Sequence, residues 1–449
     1  MKIEKISSIR AVEVIDSRAF PTISAEVIFE SGIRGSAIVP SGASVGRSEA
    51  TELRDADPGR WAGKGVLHAV RNVNEIIGPA LKGRTPDVLE VDEALAELDG
   101  TENKSRLGAN AILAVSLANA RAIATARNIP LYALIAELSC TTDPILPLPM
   151  VNIISGGLHA DGNLDMQDFL AIPIGAKSFR QAMDYIGKIY HATRIQLKER
   201  GYSTLLADEG GFGPNLPNHE DALKVLSEVI KLTNLSGEVG IGIDVAASHF
   251  YNAGEKKYHL KSENRIINSE GLVDLLVGWF EEYPVASIED GCAEVDWDGW
   301  KLLTKRLGEK IQLIGDDLFT TNTSLIRKGI SSGVANSVLI KLNQIGSLSE
   351  TLDAIALCKE NWYSPVVSAR SGETEDPFIA DLALGTAAGQ LKVGSIARSE
   401  RTAKYNRLLE IEEREHFDYA ESNVLQPSQG KLMSELKQSV PSINQDTSN

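Results

Sequence analysis

Five short apolar runs in this 449-residue chain each end in a charged group: GIGIDVAAS, VASIEDG, IQLIGDDLF, SVLIKLNQI and SPVVSARSG deliver Asp244, Glu289, Asp316, Lys341 and Arg370. Three carboxylates suit a hard divalent cation such as Mg²⁺, which takes oxygen ligands and keeps positions for water or substrate oxygens. A lysine beside such a cation has its pKa pushed down and can act as a base near neutral pH. A single acid at a strand end is more often a helix cap than a ligand. The weight therefore lies in the set, whose spacing is about one strand plus one helix plus loops. That is the repeat length of a βα barrel, a fold that gathers its active-site residues at the C-terminal mouth.

The elements that must position these groups fall into two parts. Residues 3–40 alternate in the manner of strands, IEKISSIRAVEVI, TISAEVIFESG and GSAIVP, with Gly32 at a turn. Residues 65–137 change to helical spacing, so residues 1–138 read as an N-terminal α+β capping domain. TTDPILPLP, with Pro144, Pro147 and Pro149, is an extended linker. Residues 145–435 then supply eight strand-like runs: PMVNIIS, QDFLAIPI, VGIGIDVA, VASIED, IQLIGDD, SVLIKL, PVVSAR and QLKVGSI. Only a short stretch joins the first two runs, too little for a parallel crossover, so they pair antiparallel and the barrel begins ββαα. In the helical stretch after the second run, Ser178 and Gln181 fit a capping box. Residues 436–449 form a polar tail.

Apolar residues make up 43% and charged residues 24%, as in ordinary soluble proteins. Lys and Arg total 45 against 61 Asp and Glu, a net charge of −16 that disfavours a nucleic-acid partner. The start, MKIEKISSIRAVEVIDSR, carries charges every few residues, unlike a signal peptide or membrane span. The expectation is a cytoplasmic protein with no membrane insertion. Cys140, Cys292 and Cys358 are widely spaced, in no metal-binding pattern, and read as reduced.

Longer motifs sharpen this reading. SGASVGRSEATELRD, LADEGGFGPN, SIEDG, GDDLFTTN, LIKLNQIGSLSETLDAI, RSGETED and GTAAGQLKVGSIARSERTAKYN run through most of the chain, which through them resembles the enolases. The resemblance implies a ββαα(βα)6 barrel behind an α+β domain. It also implies Mg²⁺-dependent dehydration of 2-phosphoglycerate to phosphoenolpyruvate, with two Mg²⁺ per active site and a homodimer or higher homo-oligomer. Residue by residue, it makes Asp244, Glu289 and Asp316 the ligands of the first ion and Ser41 a loop ligand of the second. Lys341 becomes the base that takes the C2 proton and Glu209 the acid that protonates the departing hydroxyl. Arg370 and Ser371 resemble the phosphate-binding pair, Lys392 the contact to the substrate carboxylate, and Gln167, Asp168 and His159 further substrate-side residues. The resemblance is also compatible with additional display at the cell surface.

Several positions depart from the enolase pattern. Ala369 stands in SARSG where a histidine is usual, and Asp168 in QDF where a glutamate is usual. Ser155, Val45 and His249 replace Asn, Thr and Glu, and Ala19 and Phe20 replace Gly and Asn. These changes make an enolase-like enzyme of phosphonate-type secondary metabolism the alternative to the glycolytic reaction. A binding protein that merely kept the fold is a third reading, since fold alone does not fix function.

Overall fold

The computed structural model describes residues 4–43 and 46–425; Val45, the barrel domain beyond residue 425 and the polar tail lie outside the described residues. The alternation at the start of the chain becomes a three-stranded antiparallel sheet of Ile6–Ile15, Pro21–Phe29 and Arg34–Ile38, in that order. Ile23, Ala25, Val27 and Phe29 are buried while Ser24, Glu26 and Ile28 between them are not, so one face packs inward. The helix Ala109–Arg127 covers that face. A Cβ on Gly35 would lie 2.2 Å from the backbone nitrogen of Ala122, so only glycine allows this approach. The same helix is long and apolar enough to cross a membrane, but 83% of its apolar window is buried inside the protein, where it forms the domain's core.

The helical stretch before it is less regular than its spacing predicts. Between Leu67–Arg71 and Gly78–Leu81 lies a π turn, Asn72–Ile77. Asn74 in that turn accepts from the Ala11 N–H at 2.8 Å and donates to the Ala11 carbonyl at 3.0 Å. Its amide thus acts as a one-residue partner for the outer strand of the sheet.

Eight strands close a barrel: Leu148–Ser155, Asp168–Ile172, Gly240–Asp244, Val285–Glu289, Gln312–Gly315, Ser337–Ile340, Ser364–Ser368 and Gln390–Gly394. The second strand runs antiparallel to both neighbours and the remaining pairs are parallel. Two helices, Phe179–Glu199 and His219–Leu232, separate the second strand from the third, giving the ββαα start that the short first connection requires. Reversal of the second strand matters for the site. It puts the first residue of that strand, Asp168, at the same end of the barrel as the last residue of the third, and the two are paired in register: Asp168 faces Asp244.

Below the mouth the barrel is plugged by Leu148, Met150, Leu170, Ile172, Ile314, Leu339 and Val366. Beside them the Gln312 side-chain amide donates to Ser337 and to Gln390, each at 2.6 Å. Interior packing of this kind leaves only the mouth for chemistry. Ser178 caps its helix, accepting from the Gln181 N–H at 3.1 Å. The capping box closes one residue early, because Gln181 accepts from Lys177 and not from the cap residue. The three cysteines are unpaired.

Candidate active site

The strand ends bring the acids and the lysines together. Asp244 and Glu289 are opposite each other on adjacent parallel strands. The Lys392 ammonium bridges them, at 2.8 Å from Asp244 Oδ2 and 2.6 Å from Glu289 Oε2. Asp316 lies just beyond the next strand and takes the Lys341 ammonium. All of these side chains are buried or nearly so. Burial and the charge of Asp244 push the Glu289 carboxyl well above its ordinary pKa. Burial would lower Lys392, but Asp244 and Glu289 outweigh it and hold the ammonium well above its usual value. For Lys341 burial is likewise outweighed, here by Asp316, so its pKa is raised. Without a cation at Asp316 this carboxylate favours the protonated amine; the lowering expected of a lysine beside a bound cation concerns the loaded site.

Asp290, passed over in SIEDG, organises the neighbouring turn. Its two carboxylate oxygens accept the N–H groups of Asp316 and Asp317, each at 2.9 Å. Asp290 itself has a left-handed φ of 42°.

A second constellation faces the first. The His159 Nδ1 lies 3.1 Å from Asp168 Oδ2, and its Nε2 lies 3.8 Å from Glu209 Oε1. Asp168 also accepts from the Asn152 side-chain amide. Glycines near Glu209 are there for close approach and not for flexibility. A Cβ on Gly210 would meet the Ala397 carbonyl at 2.6 Å, and one on Gly394 would meet Glu209 itself at 3.0 Å. Burial lowers the His159 pKa, but Glu209 and Asp168 override it and bring it to about 9. Burial raises Asp168 to about 6, with His159 opposing. Glu209 is lowered, because His159, Arg401, Lys392 and Lys341 outweigh its burial.

The raised imidazolium has a consequence for stability. Folding binds the His159 proton more tightly than the unfolded chain does, so the stabilisation is full below pH 6.5 and is lost as pH rises through about 9. On the order of 3 kcal/mol should disappear across that window. Thermal melts at pH 6.5 and pH 9 should show a drop in the parent that His159→Gln lacks; equal drops would remove the imidazolium from the account.

Arg370 and Ser371 follow the seventh barrel strand. The Arg370 guanidinium is held by Glu49 Oε2 at 3.0 Å and Asn343 Oδ1 at 3.0 Å. Arg401, fully buried, fixes this turn from below by donating to the carbonyls of Arg370 and Ser371, both at 2.6 Å. Ser371 Oγ accepts from the Ala43 N–H at 2.8 Å. The Ser41 hydroxyl donates to Asp16 at 2.5 Å and its backbone pairs with Gly372. Ser44, the next serine of that loop, lies outside the described residues.

One cavity is walled by His159, Gln167, Asp168, Glu209, Asp244, Lys341, Ala369, Arg370, Ser371 and Lys392. Glu289 and Asp316 connect to it through their ion pairs with Lys392 and Lys341. The residues present fit a hard cation. The donors are carboxylates, the upward push on Glu289 marks a demand for more positive charge, and Gln167 Oε1 is buried without a hydrogen-bond partner while its Nε2 donates to Asp244 at 3.1 Å. Among the described residues, ligand atoms all within 4.8 Å of one another occur in His159 with Asp168 and Glu209, and in Asp290 with Asp316 and Asp317; Asp244, Glu289 and Asp316, two of them paired with Lys392 and one with Lys341, are not drawn together to that distance.

Two family models match the chain: the enolase N-terminal domain over residues 6–135 and the enolase C-terminal TIM barrel domain over residues 143–427. The chain belongs to the enolase family. Members bind a divalent metal and act on a small phosphorylated substrate, which suits an acid cluster beside a buried guanidinium. Within this enolase fold Ala369 is buried in the cavity wall, its N–H donating to the Lys392 carbonyl at 2.9 Å. Ser155 accepts from the same Asn152 amide that serves Asp168. His249 sits in the turn after Asp244, its pKa lowered by burial and raised in part by Asp244. Glu49, Asn152, Asp290 and Arg401 were all present in quoted or flanking motifs; their buried partners, and not their local sequence, reveal what they do.

Proposed function

We propose that this protein catalyses the reversible, Mg²⁺-dependent dehydration of 2-phospho-D-glycerate to phosphoenolpyruvate, a hydro-lyase reaction of glycolysis and gluconeogenesis, as a cytoplasmic homo-oligomer. The observation that carries the reading is one cavity whose wall holds an amine, Lys341, and a carboxylate–imidazole pair, Glu209 and His159, together with Arg370 and Ser371. Lys341 takes the C2 proton, and the electron pair left on C2 is delocalised into the substrate carboxylate, beside the Lys392 ammonium. Hydroxide then leaves C3 with a proton supplied through Glu209. Because Glu209 is itself held as a carboxylate, the His159 imidazolium is the proton source that the geometry offers. Arg370 and Ser371 grip the phosphate, a guanidinium fork matching its oxygens.

Asp244, Glu289 and Asp316 would hold the cation, with Gln167 at their side. Mg²⁺ held there would supply positive charge beside the substrate carboxylate and so make the C2 proton more acidic; with Asp316 engaged as its ligand, Lys341 would have less to hold its proton and could act as the base. Enolase-superfamily sites are the standing example of a Lys or His base beside one or two Mg²⁺ ions, and the count of two follows that known pattern.

A rise in ultraviolet absorbance of the enol product on mixing protein, 2-phosphoglycerate and Mg²⁺, abolished by chelator, is the expected result. No product from a folded protein that binds Mg²⁺ would favour a second reading, in which a related phosphorylated or phosphonate acid is the substrate. Ala369 favours that alternative, since a methyl stands beside Arg370 where enolases carry an imidazole. Ala369→His is expected to raise turnover of 2-phosphoglycerate if the parent is an enolase weakened at this position. Unchanged rate and substrate choice would remove Ala369 as a determinant of either.

A further inference from the structure

Asp316 and Arg370 flank Lys341 on the barrel mouth, and one side chain connects what holds them. Gln344, on the short helix Leu342–Ile345, is fully buried. Its Nε2 donates to Asp316 Oδ1 at 2.9 Å and to Glu49 Oε1 at 3.3 Å. Its Oε1 accepts the Thr321 hydroxyl at 2.7 Å, and that hydroxyl in turn accepts the Lys341 N–H at 3.0 Å. Both amide hydrogens and the carbonyl are therefore used, and no residue without two donors and an acceptor satisfies all three neighbours.

Thr320 and Thr321 adopt left-handed φ values of 45° and 55°, costly for β-branched residues. That backbone aims the Thr321 hydroxyl at Gln344. From the other side comes the N-terminal domain. The Ala50 N–H donates to the Gln344 carbonyl at 2.8 Å, and Glu49, 5% exposed, grips Arg370, 4% exposed. A Cβ on Gly46 would meet Thr320 Cγ2 at 2.7 Å, so residues 46–50 are pressed onto the barrel mouth.

We propose that Gln344 is a positioning residue whose amide fixes Asp316 on one side and, through Glu49, Arg370 on the other. Seating of residues 46–50 and cation binding at Asp316 are then coupled, each favouring the other by the same factor. The inference rests on the reading of Asp316 as a cation ligand.

The test uses the full chain without substrate and reads two quantities: Mg²⁺ affinity by titration calorimetry, and the rate of tryptic cleavage after Arg47, whose side chain is 72% exposed. Gln344→Met keeps the volume but removes the amide donor from Asp316 Oδ1 and from Glu49 Oε1, which keeps the Gly46 N–H and the Arg370 guanidinium. It is expected to weaken Mg²⁺ binding about 10–100-fold, as loss of a group that orients a ligand does, and to speed cleavage. Mg²⁺ should slow cleavage in the parent and not in the variant. Glu49→Gln, which keeps shape but removes the charge facing Arg370, is expected to speed cleavage and reduce the Mg²⁺ protection; it carries the test if Gln344→Met does not fold. Parent-like affinity and cleavage in Gln344→Met, with Mg²⁺ binding lost in Asp316→Asn, would overturn the coupling and leave the metal reading standing. Parent-like Mg²⁺ binding in Asp316→Asn would bring down both.

Discussion

Replacing Lys341 by alanine is expected to lower kcat for 2-phosphoglycerate by about 10²–10⁴-fold, the contribution of a positioned general base. Substrate affinity should change far less, because Arg370, Ser371 and Lys392 stay in the cavity wall. The variant also leaves Asp316 with the Gln344 amide as its remaining donor, which favours a cation there, so Mg²⁺ affinity should hold or improve. Steady-state kinetics with Mg²⁺ saturating separates the two effects. A Lys341→Ala protein that turned over at the parent rate would show that another group takes the proton.

The second large effect concerns Lys392. Asp244 and Glu289 are each about 3% exposed at the side chain and share one ammonium. Removing one member of a buried charge cluster strands its partners and costs about 3–5 kcal/mol. Lys392→Met should therefore melt well below the parent in metal-free buffer and recover much of the difference when Mg²⁺ is added. Its pH dependence has a definite sign. Glu289 already binds its proton more tightly in the folded chain than in the unfolded one, and loss of Lys392 strengthens that bias, so stability falls as pH rises and returns on acidification. Identical melting curves for parent and variant, with and without Mg²⁺, would contradict the cluster as described.

Much of the fold was legible because its signals are periodic or topological. Strand-length runs ending in Asp244, Glu289, Asp316, Lys341 and Arg370 recur at barrel spacing. The short link before the second run dictates its antiparallel direction. What escaped depends on distances between strands. No local pattern says that Lys392 bridges two acids, that Asp316 pairs with Lys341, or that Glu49 is folded back onto Arg370 across more than three hundred residues. Ser41 illustrates the limit at a single position, since nothing around this loop serine in the sequence says that Asp16 accepts from its hydroxyl. The π turn at Asn72–Ile77 is equally silent in sequence, because its cause is the edge of a strand some sixty residues earlier.

The central claim is that Lys341 removes the C2 proton and that Glu209, with His159 behind it, serves the departing hydroxyl. Exchange of the C2 hydrogen of 2-phosphoglycerate with D₂O, followed by NMR in the presence of Mg²⁺, tests it most directly. Glu209→Gln should still exchange that hydrogen while making little enol product, and Lys341→Ala should do neither. Exchange that survives in Lys341→Ala would contradict the account.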